Sequence, residues 1–568
     1  MKPRYMHFLL MMIFTATMCM SGFTYPDWPV ATSSPIKTIA VPFSSSMHGD
    51  KAFPEDSGHL FATGAEADAV VPVAGSPRED NGPPPVVAAA PNKTLAVSSS
   101  FVPTKADSDK NLPDDSREVS FLAPKAVAVE TDRPDLDFSL HRLGSEGPTL
   151  LVVGGIQGDE PGGFTAASLL VTNYTIHAGR VWVVPNLNFP SIVKRNRGSF
   201  GDMNRKFAYV DPKDPDFNAV RRIQEIICNL DVGLILNLHD GSGFYRPESE
   251  DELHGPHRWG QCVIIDQTTL DTPSSYTSLE KMGQIAVRDA NKVLLKSEHR
   301  YHVKNTETRK GDKEMEKTLS YYAVRKGKAA FGVEASKHFS TEYRVYYHLH
   351  ILESFMRQMG IQFERTFALT PAGVKKAINS NVGITLYDDR LVLALDNPRP
   401  TLSYVPMQKN APVNPRGTKP LLALLKGKED WRIAYGNRTL TRLAPQYMEY
   451  DNSLAGIEIV TGGTTRKVPI GKVVTVSDEF MVKGMQGYRV NVIGAQKENR
   501  DGSECDIVLR KKDFLPQYSV DKGATTYRVE LYKGKAFAGM VLVQFGKAVP
   551  ASRETMTAVK GSESDFGF

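Results

Sequence analysis

Thr149-Leu-Leu-Val-Val-Gly-Gly-Ile-Gln-Gly-Asp-Glu-Pro-Gly-Gly163 is the stretch on which the reading of this chain turns. Its start is a continuous apolar run, the mark of a strand buried on both faces. It then breaks into glycines and acids, and Pro161 suits the first turn of a helix whose apolar run is 164–171. Gln157 and Glu160 therefore stand at the mouth of a strand-to-helix turn, where open α/β sheets build their ligand sites. Both side chains ligate metals through oxygen, and a turn lets them converge. Taken alone, the same pattern also describes a plain turn and helix cap.

Working outward, strand-like and helical runs alternate from about 133 to 362, the signature of an α/β sheet. The apolar patterns predict strands over 135–142, 149–156, 180–185, 233–238, 262–266 and 329–333. They predict helices over 164–172, 217–230, 277–295, 318–326 and 341–359. In the second of these Val220, Ile223, Ile226, Ile227 and Leu230 share one face. Beyond 363 the pattern becomes short alternating runs between turn residues, read as an all-β region of one or two domains. We divide it into a β domain over 363–450, a β-sandwich-like domain over 451–550 and a tail over 551–568.

A length of 568 residues exceeds a single core and suggests roughly three or four domains. The net charge of +5 is mild for that size and no basic block stands out, so nucleic acid is not implied. Residues 1–22 read as a signal peptide, with basic Lys2 and Arg4, an apolar core over 8–20, and small Ser21 and Gly22. That places the mature chain in the periplasm, with a membrane-anchored form as the alternative. Residues 23–132 are rich in Pro, Ala and Ser and read as a disordered arm with a reach of roughly 50–60 Å, a tether or a neutral spacer. Without Cys19, three cysteines remain. Cys228 and Cys262 read as buried thiols, and Cys505 leaves at most one disulfide.

Polar side chains recur at the ends of apolar strands: Gln157 with Glu160, then Asn188, His239 and Glu334. Several in one domain are better explained by a shared site than by separate caps. An amide oxygen, a carboxylate and an imidazole leave a fourth position for water, as a catalytic zinc requires, and zinc lowers the pKa of such a water to about 7. Glu334 follows Ala329-Ala-Phe-Gly-Val333, so desolvation favours a raised pKa and general-base work; the alternative is a salt bridge or cap. Arg195-Asn-Arg197 and Asp202-Met-Asn-Arg-Lys206 offer guanidinium forks for a substrate carboxylate or an oxyanion, or form a solvated basic loop.

In their order, strand-Gly-x-x-Glu, Asn-Arg, strand-His and strand-Glu, these residues resemble the M14 zinc metallocarboxypeptidases. That family usually opens with His-x-x-Glu. The Gln157-Gly-Asp-Glu160 found here, with its glycine-rich turn and the β-rich C-terminal half, resembles the peptidoglycan DL-carboxypeptidase branch that sets helical cell shape. The resemblance implies a carboxypeptidase-like domain with a mixed central sheet. It implies Zn2+ on Gln157, Glu160 and His239, with Glu334 as base. Asn204 and Arg205 would grip the terminal carboxylate, Arg197 would contact an oxyanion or carboxylate, and Trp259 would line the pocket. The implied reaction trims stem tripeptide to dipeptide by removing terminal meso-diaminopimelate. Peptidoglycan stem peptides are then the partners, with other cell-wall proteins as candidates through the β domains. Two rivals stand beside it: a general metallocarboxypeptidase or acyl-amino-acid amidohydrolase, and a non-catalytic cell-wall-binding protein. An intact Glu334 speaks against the last, since a binder needs no base there.

Overall fold

In the computed structural model the described residues are 136–546, except Pro273 and Arg500. The expected signal peptide, arm and tail lie outside them. The chain runs β1 (His141–Gly144), β2 (Thr149–Val153), α1 (Pro161–Asn173), β3 (Tyr174–Ala178), β4 (Arg180–Val184), α2 (Phe189–Lys194), α3 (Phe217–Cys228) and β5 (Val232–Gly241). It continues through β6 (Phe244–Tyr245), β7 (His254–Gly255), β8 (Cys262–Ile265), α4 (Leu279–Asn291), β9 (His302–Asn305), α5 (Leu319–Arg325), β10 (Ala329–Ser336), α6 (Thr341–Gln358), β11 (Gln362–Arg365) and α7 (Pro371–Asn379).

One sheet of order β1-β4-β2-β5-β10-β8-β9 organises this half. Its centre, β4-β2-β5-β10, is parallel, while β1 and β8 run antiparallel to their inner neighbours, so the sheet is mixed. The central strands read as apolar runs because both faces are covered. Leu150, Leu151, Val152 and Val153 of β2 are fully buried, worth roughly 1.5–3 kcal/mol per side chain. Helices α1 and α4 both pack on α6, while α3 and α5 lie against β5.

Several elements differ from the sequence expectation. The first strand starts at His141, not 135. Strand β5 continues through His239 to Gly241, and β10 through Glu334 to Ser336, so both residues lie within strands rather than beyond them. The cause is the ladder, which pairs Glu334 with His239 and runs on to Ser336 opposite Gly241. Helix α3 stops at Cys228, where Asn229 turns out of helical conformation, and Leu230 is 97% exposed. Cys228 is exposed rather than buried, Cys262 is buried as expected, and all three described cysteines are free.

Beyond α7, a helix in the stretch read as all-β, the described elements are strands and short 3-10 turns. One apolar core runs continuously from Phe138 through Leu443 and reaches Phe537, Met540 and Leu542. A second core, from Leu454 to Phe545, fills the C-terminal strands. Arg390 joins the two regions through the carbonyls of Asn452, Leu454 and Ala538. Among the described residues no helix is long and apolar enough to cross a membrane.

Candidate active site

The turn after β2 is built on close backbone approach. A Cβ on Gly158 would lie 2.1 Å from the Ser191 carbonyl of α2, so only glycine fits. Pro161 opens α1, and Glu160 takes the N-cap position but makes no side-chain capping bond. Its carboxylate is free to turn towards β5. There His239 Nδ1 lies 3.0 Å from Gln157 Oε1 and 3.0 Å from Glu160 Oε2.

Neighbours fix each of these donors. Gln157 Nε2 donates to both Asp202 oxygens at 2.9 and 3.0 Å, and a carboxylate only accepts, so Oε1 must face His239. Burial pushes the Asp202 carboxyl up, but Arg197, the Gln157 amide and the Asn204 N–H outweigh it and hold it below the usual range. Glu160 Oε2 accepts the Asp240 N–H at 3.1 Å, while Oε1 lies 3.3 Å from both Arg197 Nη1 and Lys337 Nζ.

A metal is implied by this donor set, and the residues fit one. Two acceptor oxygens face a single ring nitrogen that carries at most one proton, so hydrogen bonding alone leaves the trio incompletely satisfied. Around a tetrahedral zinc with bonds of about 2.0–2.1 Å, ligand atoms stand roughly 3.3 Å apart, close to the separations here. Among the described residues no three His, Cys, Asp or Glu side chains gather for a metal, so the site depends on the Gln157 amide.

Glu334 shares the sheet face of His239, because residues paired across a ladder point the same way. It is buried and its Oε2 has no hydrogen-bond partner. Burial, then Glu160 and Asp240, push its carboxyl well above the ordinary range. A dication held by Glu160 would oppose the second of these causes.

Gln157, Glu160, Arg197, Asn204, Arg205, His239, Trp259 and Glu334 line a single cavity of about 260 Å³. The Asn204 Oδ1 accepts the Leu319 N–H at 3.0 Å, which leaves its amide N–H groups for a ligand. Arg205 leans on Glu314 at 3.3 Å. Trp259 carries Lys304 Nζ 3.9 Å from its ring centre, and that ammonium donates to the Pro256 and Arg258 carbonyls. Asn188 is not brought into the cavity; its side chain caps α2 by accepting from Ser191 N.

The structure adds residues that the sequence reading missed. Asp240 is fully buried and accepts from Gly162 N at 2.7 Å, Arg344 Nη1 at 3.0 Å and His348 Nε2 at 3.2 Å. Arg344 also holds the Lys337 and Phe339 carbonyls, tying the ends of β5 and β10 together. Lys337, Met315, Thr318 and Ser320 complete the cavity wall. The available signal was that Asp240 directly follows His239 and that Lys337 stands three residues after Glu334.

Comparison with known proteins agrees with this layout. Residues 139–379 match the catalytic domain of carboxypeptidases controlling helical cell shape, and residues 450–546 match the C-terminal domain of a metallo-carboxypeptidase. The apo structure of a cell shape determinant protein from Helicobacter pylori is 37% identical, with a TM-score of 0.66, covering 72% of this chain and 100% of its own. The same figures hold for its tripeptide-bound form and for its mDAP-bound form, which is described as a D,L-carboxypeptidase. An N-alpha-acetyl-L-2,4-diaminobutyric acid deacetylase from Halomonas elongata is 30% identical over 164 residues, 25% of this chain, so the chain spans about half (47%) of that curated relative.

Proposed function

Because the chain belongs to the family of carboxypeptidases controlling helical cell shape, we propose that it is a zinc carboxypeptidase that trims peptidoglycan stem tripeptide to dipeptide by releasing terminal meso-diaminopimelate. The observation that carries this is the convergence of Gln157 Oε1, Glu160 Oε2 and His239 Nδ1 beside the unpaired Glu334 oxygen, in a cavity that also holds Arg197 and Arg205.

Gln157, Glu160 and His239 would hold the zinc, which when bound would supply Lewis-acid chemistry. Glu334 accepts the proton of the attacking water and returns it to the departing amine. Asn204 and Arg205 grip the terminal carboxylate, and the planar fork of Arg205 matches it two-pronged. Arg197 faces the oxygen on which negative charge develops. Trp259, fixed by Lys304, walls the pocket. The amide oxygen of Gln157 donates less than an imidazole, so zinc is held less tightly than by a His-containing set.

The signal-like segment at 1–22 supports work in the periplasm, where stem peptides are exposed, and the β region offers surface for other cell-wall proteins. The deacetylase relative keeps an amidohydrolase reading in view. Zinc-loaded protein is therefore incubated with L-Ala-γ-D-Glu-meso-diaminopimelate and, separately, with N-acetylated amino acids. Dipeptide and free diaminopimelate from the first, and nothing from the second, is the expected result. The reverse moves the chain to the amidohydrolases.

A further inference from the structure

Three cationic heads line the cavity: Arg197, Arg205 and Lys337. Arg205 belongs to one end. It leans on Glu314, next to Met315, while neighbouring Asn204 binds the start of α5 at Leu319; with Thr318 and Ser320 these line the end of the cavity that the reading above gives to the leaving residue. Lys337 belongs to the other rim, made by the ends of β5 and β10 and the turn 157–160. Its N–H donates to Gly241 O at 2.8 Å and its carbonyl accepts from Arg344 at 2.6 Å, so its backbone is pinned on both sides. Its Nζ lies 3.1 Å from Asp159 and 3.3 Å from Glu160, and the side chain is 33% exposed. An ammonium has three N–H donors, so one is left for a ligand at the cavity mouth.

A residue linked through its γ-carboxyl keeps a free α-carboxylate on the acyl side of the scissile amide, a short carbon chain from the reacting carbonyl. We propose that Lys337 is a specificity-determining residue whose ammonium receives that α-carboxylate, so that the enzyme selects an acidic γ-linked acyl residue over a neutral one. This rests on the tripeptide reading above. Arg197 and Arg205 serve the oxyanion and the terminal carboxylate, which leaves Lys337, already paired with Asp159 and Glu160, as the lining cation to which no substrate anion is assigned, and its third N–H as the donor for one.

The test uses L-Ala-γ-D-Glu-meso-diaminopimelate and its α-amide, in which isoglutamine replaces glutamate. Wild-type protein prefers the acid in kcat/KM by roughly tenfold or more, the worth of a charge-assisted hydrogen bond, with the difference in KM. Lys337→Met, normalised to its measured zinc content, brings the acid-to-amide ratio close to one, and Lys337→Arg restores part of it. Calorimetric binding of L-Ala-D-Glu against its α-amide shows the same preference without turnover. A Lys337→Met ratio equal to wild type, or a wild type that cuts both peptides equally, overturns the inference and leaves the tripeptide reading standing. A wild type that cuts neither overturns both.

Discussion

Glu334 is a buried carboxyl with one oxygen unpaired, set on the same sheet face as His239. Glu334→Gln keeps its shape and is outside the ligand set, so zinc should remain bound. Loss of a general base typically costs on the order of 10²–10⁴-fold, so kcat should fall by that much with KM little changed. Arg205→Lys keeps charge but loses the fork, and steady-state kinetics should show it mainly as a raised KM. A second buried carboxyl gives a pH test. Burial pushes Asp266 up to about 6 from 3.8, against opposing hydrogen bonds from Thr308 and Thr306. The folded state therefore favours its protonated form. That stability is present in full below the unfolded value and is lost as pH climbs through the folded one. Asp266→Asn should remove this dependence and be more stable than wild type at pH 7 by about 2–3 kcal/mol, with the gap closing towards pH 4. Urea unfolding across that range checks it, and parallel curves contradict it. The sequence showed Gln157, Glu160, His239 and Glu334 because each interrupts an apolar run. Lys337 and Asp240 did not stand out, because a lone charge at a strand end looks like a solvated one until the sheet brings partners to it.

The decisive element is the turn from β2 into α1, which presses against the backbone of α2. A Cβ at position 158 meets the Ser191 carbonyl at 2.1 Å, and backbone cannot give way as a flexible side chain can. Gly158→Ala should displace Gln157 and Glu160, weaken zinc binding in a chelator competition, and cost about 1–3 kcal/mol in thermal unfolding. Unchanged zinc affinity would argue that the turn does not set the ligand geometry. The long elements and their order were legible from periodicity, whereas the short β3, α2, β9 and β11 were not read from the sequence. The ends of the long elements were less legible, since β5 and β10 are prolonged by pairing with each other, a non-local effect that local composition does not carry. The stop of α3 at Asn229 had the same character, and left Leu230 outside the face assigned to it.

Over the whole molecule, the continuous core binds the α/β half to the strands that follow. Lys419 is an example: it is buried against Thr172, Asn173 and the Ala377 carbonyl, at the far end of the helix that Glu160 begins. A fragment ending at residue 379 should therefore show no cooperative thermal transition, because Leu386, Leu391, Leu393 and Val405 no longer cover their neighbours. A sharp transition in that fragment would mean the halves fold separately. The change to β structure was legible in the sequence, whereas this shared core was not, because alternating runs do not reveal which sheet they pack on. At the N-terminus, mass spectrometry of the native protein should find a chain starting near residue 23; an intact Met1 in a membrane fraction would favour the anchor.

The most direct test of the central claim is a zinc titration of metal-free protein, with products from muramyl tripeptide followed by mass spectrometry. The predicted result is dipeptide and free diaminopimelate in equal amounts, at a rate that rises linearly and levels off at one zinc per chain, with His239→Ala silent throughout. Full activity in the metal-free protein, or cleavage of a different amide with the tripeptide's last bond intact, would contradict it.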